Sequence, residues 1–250
     1  MQARRVVAIT GGTRGIGLAV AKAFGREGYA VAVTGNADRD ALEKAKHELS
    51  DSCSSTDVSQ VDARDSAATC AWVDHVVECF GRIDVAVANA GIVRPTPFLE
   101  MAEAQVEDVI GVNLLGCFYF LQAAARAMAK KGGGSLISVA AAAAVRPVRA
   151  VAMADYAAAK GGVIALTKCL AVELADRGIR ANVVIPVADT AMSEAVRVAR
   201  GVDAATWRKQ FPSGELPKPD DVTGVFVFLG SARAKHLTGQ VIAVDDGHSA

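Results

Sequence analysis

The stretch "AITGGTRGIGLAVAKAF" (residues 8–24) decides the fold. It starts as a short apolar run, passes through a turn holding Gly11, Gly15 and Gly17, and continues with apolar residues at helical spacing. A strand that feeds a helix through residues lacking Cβ is the opening of a βαβ unit. Such glycines let backbone approach a pyrophosphate, and the helix start offers free N–H groups and the positive end of its dipole. A ligand-free strand–helix turn uses the same residues. Its position at the head of the chain, between strand and helix, favours a dinucleotide site.

The alternation continues outward from this turn. Strand-like runs at residues 4–10, 30–35, 84–90, 134–141, 180–185 and 239–244, with a weaker one at 53–56, alternate with helical patterns at 16–26, 40–49, 63–80, 102–129 and 155–175. This spacing predicts right-handed βαβ units and an α/β fold: one doubly wound parallel sheet with helices on both faces. No repeat or linker divides residues 1–250, so one domain is predicted, with a lid at about 190–219.

Composition narrows the function classes. Lys plus Arg and Asp plus Glu both number 27, a net charge of zero that argues against nucleic-acid or membrane-surface partners. The five cysteines are odd in number with no C-x-x-C pair, which fits a reduced, cytoplasmic chain. Four scattered histidines show no metal-ligand spacing, so no metal is expected. The apolar run before Gly11 is too short for a signal-peptide core or a membrane span, and the run around residues 112–128 reads as a buried helix.

The second strand ends "VTGNADRD", where Thr34, Gly35 and Asn36 stand at the tip and Asp38 comes too late. An NAD site usually has an acid at that tip for the ribose hydroxyls. Arg14, inside the glycine turn, suits a 2′-phosphate. The expected cofactor is therefore NADP(H).

Taken with "TGGTRGIG" (10–17), "DV" (57–58), "ANAG" (88–91), "VNLLG" (112–116), "YAAAK" (156–160), "IRANVVIP" (179–186) and "LTGQVIAVDDG" (237–247), the chain resembles the short-chain dehydrogenase/reductase family, nearest its β-ketoacyl reductase type. The resemblance spans nearly the whole chain and implies a Rossmann-type domain. It implies cofactor contacts from Gly11, Thr13, Arg14, Gly15, Ile16, Gly17 and Asn36, with Asp57 and Val58 at the adenine. Asn89, Ala90 and Gly91 would pass beneath the adenosine ribose, and Thr190 would meet the carboxamide. Tyr156 would be the acid–base, Lys160 would bind the nicotinamide ribose, and Asn113 would hold a water in a proton relay. It further implies a homo-oligomer, tetramer or dimer. Independently, residues i and i+4 share a helix face, so Lys160 is expected to lower the Tyr156 pKa by its charge.

One member of the family's set is missing. The family places a Ser at the end of the fifth strand; here the position falls on Ala141, inside an alanine run from 140 to 144. Ser138 lies about 10 Å back along the strand. Two further departures are a segment one residue short between Pro186 and Thr190, and Asp246 where the family often has Gly. In the lid, Met192, Val196, Trp207, Phe211 and Pro212 are expected to wall an apolar pocket. Arg146, Arg149, Arg197, Arg200 and Arg208 flank the site and would suit an anionic small molecule or a carrier-bound thioester. The resulting expectation is an NADP(H)-dependent reductase of a ketone or β-ketoacyl carbonyl. The alternative is elimination, isomerisation or cyclisation on the same scaffold, with Tyr156 moving the proton.

Overall fold

The computed structural model describes residues 4–36, 39–146 and 152–249. Its core is a seven-stranded parallel sheet made of β1 (Val6–Thr10), β2 (Ala30–Gly35), β3 (Thr56–Gln60), β4 (Val85–Ala88), β5 (Gly134–Val139), β6 (Ile179–Pro186) and β7 (Val241–Val244). The strand order is β3-β2-β1-β4-β5-β6-β7, so the chain leaves β1 in one direction and returns past it to β4. The doubly wound parallel sheet is as predicted.

Alternation along each strand sorts two cores. Val7, Ile9, Val31, Val33, Val85 and Val87 face α1 (Gly15–Arg26), α2 (Arg39–Ser50) and α10 (Thr223–Gly230). Ala8, Ala32 and Ala86 face the other way. Their small side chains leave room for Trp72 of α3 (Ser66–Phe80) and Phe120 of α5 (Gly116–Ala129), whose rings lie 5.6 Å apart. On this side α7 (Ala154–Glu173) completes the layer through Val163 and Ala171.

Three differences from the sequence-based expectation have clear causes. β3 begins where the expected 53–56 strand ends, because this edge strand has no fully buried residue to mark it. α10 was not anticipated: its apolar residues show no helical period and it is short. The helix expected at 102–129 is α4 (Glu103–Ile110), a π-turn (Gly111–Leu115) and α5 in one continuous rod. The rod Glu103–Ala129 is long and apolar enough to cross a membrane by length and composition, with half of its most apolar window buried in the protein.

Candidate active site

The C-terminal ends of the strands converge where β1 is flanked by β2 and β4, the switch point at which such sheets bind ligands. Here the glycine turn follows from local sterics. Gly11 and Gly15 take φ of 65° and 55°, a region that favours glycine. A Cβ on Gly17 would lie 2.2 Å from Gly11 O, and one on Gly11 would lie 2.8 Å from Ala90 Cα. Asn89 fastens the turn: its Nδ2 donates to Thr10 O (3.1 Å) and Gly11 O (2.9 Å). Thr10 Oγ1 accepts from both Asn89 N and Ala90 N at 3.2 Å. Thr13 lies against Gly35, whose Cβ would come 2.3 Å from Thr13 Oγ1. Ile16 is partly buried at the start of α1, while Arg14 and Asn36 are exposed at the rim.

Asp57 and Val58 are not part of this edge, contrary to expectation. They pair with Ala32 and Val33, in the middle of β2, whereas the rim is level with Gly35 and Gln60. Asp57 Oδ2 instead accepts from Trp72 Nε1 (3.2 Å) and Ser59 Oγ (3.0 Å), and Oδ1 faces His75 Nε2 at 3.4 Å. The register brings Asp62, Ala63 and Arg64 to the rim. Val61 N donates to Gly35 O at 3.1 Å, and the Asn36 side chain hydrogen-bonds the Asp62 carboxylate. Arg64 reaches Asp108 Oδ1 at 2.7 Å and also clasps Asp62, and its hydrogen bonds to Asp62 hold that carboxyl below its usual range. Paired with β2, the five-residue β3 ends at Gln60, so Asp62, which follows Val61, meets the rim and Asp57 does not.

Tyr156, Lys160, Asn113 and Gly91 meet on the other side of the cleft. Asn113 sits in the π-turn with its Nδ2 donating to Ile92 O (2.9 Å) and Val109 O (2.8 Å). Its Oδ1 is buried without a partner. A Cβ on Gly91 would lie 2.6 Å from that oxygen and 3.6 Å from Lys160 Nζ, so glycine there keeps the space between them open. Lys160 Nζ donates to Val139 O at 2.8 Å and lies 5.8 Å from the Tyr156 ring centre. Asp155, which sequence reasoning missed, fixes the helix start: its Oδ1 accepts from Tyr156 N (2.7 Å) and its Oδ2 from Gln105 Nε2 (3.0 Å). Ala141 lies two residues past the end of β5 and is the N-cap of α6 (Ala142–Val145), with no side-chain cap bond. Ser138 is fully buried, its Oγ paired with Thr167 Oγ1 at 2.8 Å.

Comparison with known proteins agrees with this geometry. Residues 11–249 match the family described as Enoyl-(Acyl carrier protein) reductase. The chain is 34% identical over 250 residues to the 3-oxoacyl-[acyl-carrier-protein] reductase FabG of Staphylococcus aureus, covering 99% of each chain. It is 33% identical over 253 residues to a 3alpha-hydroxysteroid dehydrogenase of Mediterraneibacter gnavus, covering 98% of this chain and 97% of that one. A short-chain type dehydrogenase/reductase from Mycobacterium marinum superposes with a TM-score of 0.92 at 32% identity, over 98% of this chain and 95% of that one. The chain belongs to the short-chain dehydrogenase/reductase family.

Burial pushes the Tyr156 phenol up to about 12. The expectation that Lys160 lowers it is therefore corrected: loss of water outweighs the ammonium, which is turned to Val139 O. Burial also pushes Lys160 down to about 8 from an ordinary 10.5. An unfolded lysine holds its proton up to about 10.5, while folded Lys160 releases it near 8. Between these values the unfolded chain binds more protons, so stability rises with pH. At pH 7 Lys160→Met should raise stability by up to about 3 kcal/mol, read as Tm. That advantage should shrink as pH climbs from 8 to 10.5; a pH-independent difference would contradict the account.

The expected lid segment of this short-chain dehydrogenase/reductase holds α8 (Ala191–Ala199) and α9 (Ala204–Arg208). Thr190 caps α8: its Oγ1 accepts from Ser193 N (3.2 Å), and Ser193 Oγ accepts from Thr190 N (2.9 Å). A Cβ on Gly15 would lie 3.5 Å from Thr190 Cγ2, so the lid begins over the glycine turn. In the shortened segment before it, Val187 N donates to Val244 O at 3.1 Å. Met192 Sδ stands 4.0 Å from the Tyr156 hydroxyl. Trp207 and Phe211 do not wall a pocket; they are 6% and 2% exposed and pack inside the lid. The flanking arginines also serve the lid. Arg197 pairs with Glu194, Arg200 lies over the Trp207 ring at 5.2 Å, and Arg146 donates to His248 O at 3.2 Å. Arg208 is exposed in α9, and Arg149 lies outside the described residues.

Proposed function

We propose that the chain is an NADP(H)-dependent carbonyl reductase that converts a ketone or β-ketoacyl-type carbonyl into an alcohol. The observation that carries this reading is the meeting of Tyr156, Lys160 and the unpartnered Asn113 Oδ1 around Gly91, beside the glycine turn. A dinucleotide fits the residues present. The turn is a cradle that a Cβ would fill, Lys160 uses one acceptor for three N–H donors, and Asn113 Oδ1 needs a donor. Gly11, Thr13, Arg14, Gly15, Ile16, Gly17, Asn36, Asn89, Ala90, Gly91, Lys160 and Thr190 would hold it, with Asp62 replacing Asp57 at the rim. When bound, the nicotinamide supplies the hydride. Tyr156 then gives its proton to the oxygen on which negative charge grows. The Lys160 ammonium favours the phenolate left behind, and Asn113 Oδ1 accepts from the water that returns a proton. Both relatives named above carry a 3-oxo or hydroxy function in their names, which supports a ketone–alcohol pair as substrate and product, small or carrier-bound.

The test is NADPH absorbance against a panel of simple ketones, β-ketothioesters and quinones; no consumption with any of them would remove the reading. A non-redox use of Tyr156 also leaves NADPH unconsumed, so the same assay separates the two. For the cofactor, the rim has Gly35 and Asn36 where an acid would serve NAD(H), and an exposed Arg14. Protein fluorescence should show NADPH binding more tightly than NADH, with Arg14→Ala narrowing the difference by about tenfold. Tighter NADH binding in the unaltered chain would reverse the assignment.

The same proposal includes a homo-oligomer, a tetramer by family resemblance. Its support is apolar surface that the single chain leaves open: Leu115 and Phe118 on the α4–α5 rod, and Val172 on α7 at 81% exposure. Light scattering at micromolar concentration should give a multiple of the 25.8 kDa chain mass, and a monomer mass would exclude it. The free thiols of the five cysteines support a reducing, cytoplasmic setting.

A further inference from the structure

The lid has two unlike halves. α8 has no buried residue, with Met192 37% and Val198 60% exposed. The half that follows holds the buried Trp207 and Phe211. Between them Gly201 takes φ of 62°, with open space where a Cβ would stand.

What covers the second half is the C-terminal tail. The His248 ring stacks on Phe211 at 4.9 Å and 21°, and lies 6.4 Å from Trp207. His248 Nδ1 is 3.4 Å from Gln210 O. Asp246 Oδ2 accepts from Ser213 N at 2.9 Å, and a Cβ on Gly247 would lie 3.2 Å from Pro212 Cγ. Asp245 curls the tail into place by accepting from Gly247 N (3.1 Å) and Ser249 N (2.9 Å). Asp246 is the only non-glycine with positive φ among the described residues, at 54°. That conformation alone favours glycine and tolerates Asp or Asn. A carboxylate kept there has a use, and the use in the structure is Ser213 N.

We propose that residues 245–249 are a latch that fixes the second half of the lid, residues 203–214, so that α8 alone moves off Tyr156 to admit substrate. Asp246 and His248 are positioning residues in this device; neither touches the reacting groups. The inference rests on the reductase reading for what α8 covers, but the latch itself is a property of the chain without substrate.

Limited trypsin digestion followed by mass spectrometry reads it directly, because cleavage reports local opening. Arg197 lies in α8, whereas Arg208 and Lys209 lie in the latched half. In the unaltered full-length protein, cleavage after Arg197 should be at least about tenfold faster than after Arg208 or Lys209. Asp246→Gly fits the backbone and loses the carboxylate, so cleavage after Arg208 and Lys209 should rise about tenfold. Asp246→Asn keeps both an acceptor and tolerance of the conformation and should behave like the unaltered protein. His248→Ala removes the stack and should act like Asp246→Gly. Equal cleavage of both halves in the unaltered protein would overturn the latch. So would protection of Arg208 and Lys209 in Asp246→Gly, or loss of protection in Asp246→Asn. Failure of the reductase reading shows separately, in NADPH consumption.

Discussion

Tyr156→Phe should lower turnover by about 10⁴-fold while leaving NADPH affinity unchanged. The size follows from what else can donate at the site. Ala141 has no polar atom, Ser138 is sealed beneath β5 on Thr167, and Lys160 is turned to Val139 O. Among these described residues one hydroxyl, that of Tyr156, is left both to hold the substrate oxygen and to supply the proton. Among the described residues its hydrogen-bond neighbour is the Met192 sulfur at 4.0 Å, a weak acceptor that a carbonyl oxygen displaces readily. Burial holds the phenol near 12, so it stays protonated until hydride transfer creates a base strong enough to take the proton. Initial rates and fluorescence titration, run side by side, separate chemistry from binding. Full activity in Tyr156→Phe would remove the mechanism, and a hundredfold loss in Ser138→Ala with normal cofactor binding would show that the wrong serine had been dismissed.

Ala141→Ser should raise reduction of simple ketones by up to about 10²-fold, the usual worth of one donor to a developing oxyanion. The backbone is prepared for it. Ala141 has φ −146° and ψ 151° at the N-cap of α6, the conformation in which a serine hydroxyl accepts from a helix N–H and keeps its own proton to donate. The substitution should thus leave stability equal or higher, which Tm checks. Substrates carrying a hydroxyl or bulk beside the carbonyl provide the contrast, because they can occupy the space that Ala141 leaves. A gain for simple ketones with a loss for these identifies the vacancy as part of the natural specificity. A loss for every substrate would show that no donor belongs at this position.

The sheet and its glycine turn were readable because their signals are local. A βα glycine turn, Val/Ile strands and a Tyr-x-x-x-Lys pair each depend on a few consecutive residues. What was not readable depends on register or on burial. Asp57 and Asp62 both follow strand-like residues, and only pairing with Gly35 decides which reaches the rim. Trp207 and Phe211 looked like pocket walls because nothing near them in sequence announces His248, some 40 residues on, as their cover. The π-turn around Asn113 adds one residue to a turn without breaking the apolar pattern, so the rod read as a plain helix. The net shifts at Tyr156 and Lys160 were not readable either, since desolvation is set by the whole cleft.

The contact between Thr13 and Gly35 limits which side chains the tip of β2 can carry. An acid at the tip of β2 would serve the ribose hydroxyls of NAD(H). Yet any side chain at residue 35 meets the Thr13 hydroxyl at 2.3 Å before it reaches a ligand. Gly35→Asp alone is thus a step downhill in fitness, and the same change becomes neutral or useful only after residue 13 has become smaller. The order of events is fixed: Thr13→Gly must come first, and the intermediate has a looser turn and no new benefit. A lineage that placed the acid at residue 35 would have to pass through that unrewarded genotype, whereas residue 36, exposed at the rim, meets no such barrier. Directed evolution confined to residue 35 would stall at the same place, whereas a library varying residues 13 and 35 together would not.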